Sequence, residues 1–235
     1  MHIAILMANT DESDFAQKHP KDGEKFTNLL LPLRPGWQFT TIAVKDGRFP
    51  DDLAAYDGFI ITGSPASVHD DAPWVHRLMQ VIRDIRATGQ PVFGACFGHQ
   101  AIAKALGGKV GKNPGGWVFG LAETQMEGAP IRLYAAHVEQ VTQLPPGAEA
   151  LGGNAGCPVG AYRIGQSVLT TQYHPEITED FATALVAEYE TKLPPQVAAA
   201  AKASLNRPAE TDRMAQRIVD FFEGVRIAPP AGPSR

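Results

Sequence analysis

Residues 91–100 read PVFGACFGHQ, an apolar run that ends in Gly94-Ala95-Cys96-Phe97-Gly98-His99-Gln100. The run before Gly94 suits a buried strand, and the stretch after Cys96 suits a helix that continues to about residue 106 and stops at Gly107-Gly108. Small residues two before and two after a cysteine let the backbone turn sharply from strand to helix, the G-x-C-x-G form of a nucleophile elbow. Amides at the start of that helix would favour negative charge on the sulfur. Two readings of Cys96 stay open on these residues alone: a buried, inert core thiol, or an activated nucleophile.

Outward from this stretch, the first half of the chain alternates short apolar runs with helical periodicity. Strands are expected at about 3–8, 40–44, 58–62 and 91–95, and a helix at 74–87, where Val75, Leu78, Met79, Ile82 and Ile85 recur at helical spacing. That alternation predicts an α/β fold with a parallel sheet and crossover helices. From 109 to 175 the texture changes to short strands (118–126, 131–135, 161–164, 168–173) between Gly/Pro-rich turns, read as a mixed or antiparallel extension of the sheet. A helix over 178–193 opens with a Thr178 cap and acidic residues, and Pro194-Pro195 breaks it. Helical pieces at 196–205 and 211–223 follow. The expected organisation is one domain over 1–193, a helical extension over 194–226 and a loose tail over 227–235.

Composition narrows the function. The 235 residues are 44% hydrophobic with a net charge of −4 and no Lys/Arg cluster, so the electrostatic footprint of a nucleic-acid binder is missing. The apolar runs are too short to span a bilayer. The apolar N-terminus lacks a cationic n-region and runs into acidic residues, as a first strand would. Two cysteines in a chain with ample core imply no disulfide framework, and the expected compartment is a reducing cytoplasm.

A thiolate nucleophile needs a base, and the base an orienting partner. Of seven histidines, His174 stands out in Thr171-Gln172-Tyr173-His174-Pro175-Glu176, at the end of an apolar strand. In extended backbone residues i and i+2 share a side, so Glu176 could accept the imidazole N–H and leave the other nitrogen for Cys96. Alone, the same pair reads as a solvated His/Glu couple. No metal-ligand cluster is legible, no cofactor is expected, and no phosphate-binding loop of the G-x-x-x-x-G-K-[ST] form occurs.

GACFGHQ and YHPE, in that order, resemble the signature of class I glutamine amidotransferases, most of all the glutaminase domain of GMP synthase in a free-standing form. Thr62-Gly63-Ser64-Pro65 lies where that family has a Gly-Gly-Pro loop, and the match runs over roughly residues 1–176. The resemblance implies a flavodoxin-like α/β fold and a Cys96–His174–Glu176 triad that hydrolyses the glutamine side-chain amide through a γ-glutamyl thioester. It implies an oxyanion site from the backbone N–H of Phe97 and of the Gly63/Ser64 turn, and substrate contacts from Gln100 and from Ala136-His137-Val138.

Two departures weigh on the substrate. Ser64 replaces a glycine, which is tolerable where the turn needs no positive φ. Ala136 and Val138 replace Ser and Gly beside His137, which reshapes the α-group pocket and brings γ-glutamyl compounds beyond glutamine into consideration. Residues 177–235 are too short for a synthase module, so ammonia would be released or passed to a separate synthase partner. Three functions are carried forward: a glutaminase or amidotransferase subunit, a γ-glutamyl peptide hydrolase with the same triad, and a non-catalytic sensor on this fold. The sequence sets no oligomeric state.

Overall fold

The computed structural model describes residues 1–224. In chain order the elements are β1 (His2–Met7), α1 (Asp14–Gln17), α2 (Asp22–Leu30), β2 (Gln38–Ala43), β3 (Gly58–Ile61), α3 (Pro73–Thr88), β4 (Val92–Ala95) and α4 (Phe97–Ala105). Then come β5 (Lys109–Lys112), β6 (Val118–Met126), β7 (Ala129–His137), β8 (Glu139–Gln143), β9 (Ala148–Asn154), β10 (Cys157–Ile164) and β11 (Val168–Thr171). Helices α5 (Glu179–Tyr189), α6 (Pro195–Ser204) and α7 (Thr211–Phe222) close the described chain.

The central sheet has seven strands in the order β2-β1-β3-β4-β11-β10-β9. Neighbours from β2 through β11 pair parallel, whereas β10 and β9 add antiparallel. Strand alternation sorts the core into two layers. Ala4 and Leu6 of β1 pack with α3 and α4 on one face. Ile3 and Ile5 pack on the other, with Phe26 of α2, the β6–β7 ribbon and α7. This is the doubly covered, mostly parallel sheet that the apolar runs predict.

The 109–175 region departs from expectation in one respect. Only β9, β10 and β11 join the sheet; β5 with β8 and β6 with β7 form separate two-stranded ribbons. The β6–β7 ribbon turns at Glu127, whose φ is +52°, followed by Gly128 at +81°, a pairing suited to a tight hairpin. The ribbon then lies on the sheet through Met126, Ile131 and Leu133.

The C-terminal helices fall close to their expected bounds, and α7 covers one face of the sheet. Met214, Ala215, Ile218, Val219, Phe221 and Phe222 are all buried in that layer. Phe222 meets Trp37 edge-on at 6.0 Å between centroids. A β-carbon at Gly58 would come within 2.7 Å of the Phe222 ring, so the close approach needs glycine there. Arg34 donates twice to Glu223, at 2.6 and 2.7 Å. The tail over 227–235 lies outside the described residues.

Candidate active site

Strand β4 ends at Ala95 and α4 begins at Phe97, leaving Cys96 alone to make the turn. Its φ of +48° and ψ of −105° are unusual for a residue with a β-carbon. Such a conformation costs about 1–3 kcal/mol and persists only where its surroundings impose it. Here the Cys96 N–H donates to the Thr171 carbonyl at 2.9 Å, and the Cys96 carbonyl accepts from the Gln100 N–H at 3.1 Å. A β-carbon at Gly94 would sit 2.7 Å from the Gly98 backbone, and one at Gly98 would run into the Ile61 carbonyl oxygen. Both glycines of the motif are thus required for the strand, elbow and helix to meet.

His174 lies just beyond β11, held by donation of its N–H to the Tyr134 carbonyl at 2.8 Å. Its Nδ1 stands 2.7 Å from Oε1 of Glu176, a contact in which the ring nitrogen donates and the carboxylate accepts. Glu176 is 4% exposed. Burial works against a charged ring, but the Glu176 carboxylate and Cys96 nearby outweigh it and hold His174 well above the ordinary histidine value. Nε2 of the same ring is buried with no hydrogen-bond partner among the described residues. A thiol beside an imidazole whose far nitrogen bonds a carboxylate is the arrangement needed for nucleophilic acyl transfer.

The turn after β3 closes the site from a third side. A β-carbon at Gly63 would lie 2.7 Å from Cε1 of His174 and 3.6 Å from Cβ of Cys96. Thr62 locks this turn: its hydroxyl accepts from the Ala8 N–H at 2.9 Å and donates to the Gly63 carbonyl at 3.0 Å. Ser64 spends its own hydroxyl on the Ala66 N–H at 3.1 Å. Ser64 is not among the positive-φ residues, so serine in place of a glycine carries no backbone strain.

The residues expected at the substrate divide. Ala136 lines the cleft with Gly63, Ser64, Cys96, His174 and Glu176. Gln100 and His137 are turned inward and are not among the lining residues. The Gln100 amide nitrogen donates to the Glu139 carbonyl at 2.8 Å and to Gln172 Oε1 at 3.1 Å. The His137 ring lies 3.0 Å from the Glu139 carbonyl through Nδ1, and burial pushes its pKa down to about 4. Val138 contributes its carbonyl to the Asn113 N–H at 2.8 Å and does not line the cleft either. His99 is a core residue beside Thr170 at 2.8 Å, its pKa pushed down to about 3 by burial. Burial likewise raises the Cys157 thiol to about 12, that of an inert core cysteine.

Sequence reasoning missed two parts of the site. Gln172, beside the His174 motif, reaches Cys96: its Nε2 lies 3.6 Å from Cys96 Sγ. A polar residue in an otherwise buried run was the available signal. The second is the segment from Asn9 to Lys25, which lines the cleft in contact with Phe181 of α5 and carries no recognisable motif. The cleft holds about 300 Å³, and its aromatic lining includes Phe15, Trp117, Phe119, Phe181 and Tyr189. Helix α5 contributes Phe181, Leu185 and Tyr189 to the lining, and no residue of α6 or α7 is part of it.

Comparison with known proteins adds a family. Residues 37–187 match the family model described as glutamine amidotransferase class-I. γ-Glutamyl peptidase 3 of Arabidopsis thaliana is 32% identical over 202 residues, covering 78% of this chain and 80% of its own. A glutamine amidotransferase-like protein of Schizosaccharomyces pombe is 29% identical over 244 residues, covering 94% and 98%. Among solved structures, a glutamine amidotransferase from Thermotoga maritima superposes with a TM-score of 0.74 at 15% identity, over 94% of this chain and 96% of that one. One from Methylobacillus flagellatus gives 0.73 at 20% identity, over 100% and 97%. At these identities the two structures speak for the fold.

Proposed function

This chain belongs to the class I glutamine amidotransferase family of cysteine-dependent amidohydrolases, and from that premise we propose that it hydrolyses the γ-glutamyl amide bond of γ-glutamyl peptides. The observation that carries the reading is the grouping of Cys96, His174 and Glu176 with Gly63 in a cleft of about 300 Å³, more than the catalytic atoms require. The relatives named γ-glutamyl peptidase support a peptide over free glutamine.

In this reading the Cys96 thiolate attacks the γ-carbonyl carbon, forming a C–S bond and pushing the carbonyl electrons onto oxygen. The N–H of Phe97 and that of the Gly63/Ser64 turn receive the oxyanion; one such donor is worth on the order of 10²–10³ in rate. On collapse the C–N bond breaks, and the leaving amine takes the proton held on His174 Nε2. His174 then removes a proton from water as the water oxygen adds to the thioester carbon. The C–S bond breaks, releasing glutamate and restoring the thiolate and protonated imidazole. Glu176 holds the ring in position and offsets its charge throughout. No metal or cofactor has a step in this scheme.

A second reading is favoured by a different relative. The GMP synthase of Aeropyrum pernix is 33% identical over 129 residues, covering 51% of this chain and 24% of its own. It supports free glutamine as the donor, with ammonia passed to a separate synthase partner. Either reaction suits a reducing cytoplasm, where the free thiol of Cys96 persists. No helix among the described residues is long and apolar enough to cross a membrane.

Purified protein offered glutamine and γ-glutamyl dipeptides tests both. Release of the free amino acid from a dipeptide, abolished by Cys96→Ser, is the expected result. Ammonia from glutamine with no dipeptide cleavage would favour the second reading. Covalent labelling by a glutamine-like diazoketone at Cys157 in place of Cys96 would overturn the assignment of the nucleophile.

A further inference from the structure

Cys96 lines the cleft, and behind it runs a short line of buried amides. Gln172 is fully buried and is not part of the lining, yet its Nε2 lies 3.6 Å from Cys96 Sγ. Its Oε1 accepts from Nε2 of Gln100 at 3.1 Å, and the same Gln100 nitrogen donates to the Glu139 carbonyl at 2.8 Å. Nδ1 of His137 stands 3.0 Å from that carbonyl as well.

The direction of the line follows from its inner end. A backbone carbonyl only accepts, so it draws the amide nitrogen of Gln100 and not its oxygen. The two hydrogens of that nitrogen are spent on Glu139 and Gln172, which turns the Gln172 oxygen toward Gln100 and leaves its nitrogen facing the sulfur. A hydrogen bond donated to the charged form of a group favours that form, so an N–H at this position favours thiolate over thiol. Burying an amide at the end of an apolar strand is costly, and these hydrogen bonds offset the cost.

We propose that Gln172 is a further catalytic residue, whose amide N–H stabilises the Cys96 thiolate from the protein side, and that Gln100 is a positioning residue that fixes the polarity of that amide. This rests on Cys96 as the nucleophile and deepens that reading by naming the group that holds its charge. Gln100 acts through Gln172 in this scheme and makes no contact with substrate.

Gln172→Leu removes the donor at similar volume. A hydrogen bond to a charged group is worth roughly a 10- to 100-fold factor, and with sulfur as a weak acceptor kcat/KM should fall about 10-fold at about pH 7. The pH at which iodoacetamide alkylates Cys96 at half its maximal rate should rise by about one unit, with no deficit left at the alkaline plateau. The other titratable groups near the sulfur are His174, with Glu176 behind it, and Cys157, which burial raises to about 12 and so keeps out of that window. A defect of folding alone would lower the plateau and leave the midpoint in place; an unmoved midpoint overturns the proposal.

Gln100→Leu should reproduce the shift, and in the Gln172→Leu background it should cost little more, because its effect is already removed. Additive losses would place Gln100 on the substrate and overturn its positioning role. Should Gln172→Leu not fold, the wild-type protein carries the test through isotope-labelled glutamine side-chain amides. One amide pair should shift with the thiolate's ultraviolet absorbance as pH rises, and none doing so overturns the contact.

Failure of the underlying reading looks different. Turnover that survives Cys96→Ser removes the nucleophile, and any catalytic role of Gln172 with it. Turnover lost in Cys96→Ser, together with wild-type kinetics and midpoint in Gln172→Leu, leaves the nucleophile standing and removes only the amide's part.

Discussion

A β-carbon placed on Gly63 would stand 2.7 Å from Cε1 of His174, so the turn after β3 and the imidazole are packed against one another with no room for a methyl group. The ring is therefore positioned from two directions, by Glu176 through Nδ1 at 2.7 Å and by the backbone of Gly63 across its carbon edge. Glycine serves here to admit a neighbour. Its φ is not among the positive values, so a substitution would be felt as a clash and not as backbone strain.

Gly63→Ala should accordingly push His174 away from Cys96 while leaving the sheet intact. Displacement of a reacting group by about 1 Å can cost on the order of 10²-fold in rate, and a loss of that size in kcat is expected. Circular dichroism and thermal unfolding alongside the kinetics check it. A variant with wild-type kcat would show that the ring does not depend on this contact.

Glu176→Gln preserves shape and removes the charge that holds His174 well above its ordinary value. The imidazole of the variant should titrate at lower pH than in the wild type, and activity should fall by on the order of 10²-fold or more. Following the His174 ring protons by NMR through a pH series measures the first effect directly. For stability the sign is that of a raised pKa: the His174 contribution is fully present below pH about 6.5 and is lost as pH rises through the folded-state value.

His99 and His137 act in the opposite direction. Burial holds them neutral, with values near 3 and 4. Between those values and about pH 6.5 the unfolded chain binds protons that the folded chain refuses, so stability should fall as the solution is acidified through this window. At about 1.4 kcal/mol per unit the combined loss amounts to several kcal/mol at its acid end. Urea midpoints measured from pH 7.5 to 4.5 should drop steadily, and His137→Gln should flatten the curve; a midpoint independent of pH in the wild type would contradict the assignment.

Phe222→Ala would open a cavity between α7, Trp37 and the sheet, at a cost of about 3–5 kcal/mol. Truncation before Thr211 removes six buried residues of that layer and should yield an aggregating or unfolded chain, not an enzyme of altered specificity. Denaturant unfolding and gel filtration distinguish the outcomes. A soluble, active truncated protein would mean the sheet face tolerates exposure.

Much of this architecture was legible in the chain because it is written in local pattern. The apolar runs and glycine stops locate β1, β3, β4, α3 and α4, since period and punctuation are properties of neighbouring residues. The elbow at Cys96 could be read for the same reason: Gly94 and Gly98 stand at fixed offsets, and a sharp turn needs them there. Helices α1 and α2 were not legible, because the first spans only four residues and the second shows a short apolar face. The amphipathic pattern of α7 was visible, but its docking on the sheet was not.

Residue type and spacing by themselves marked out the proposed reacting set: a cysteine between glycines, and a histidine with a carboxylate two residues on. Everything that depends on distance through space waited for the fold. Gln100 and His137 sit in motifs that suggest substrate contact, yet their polar atoms turn inward to Glu139. Gln172 belongs to neither the glycine-flanked nor the His-x-Glu pattern, yet its amide reaches the Cys96 sulfur. The reason is physical: covalent order fixes which groups lie on one local face, whereas the direction of a buried polar side chain is set by where a partner can be found, and those partners arrive from strands and helices distant in the chain.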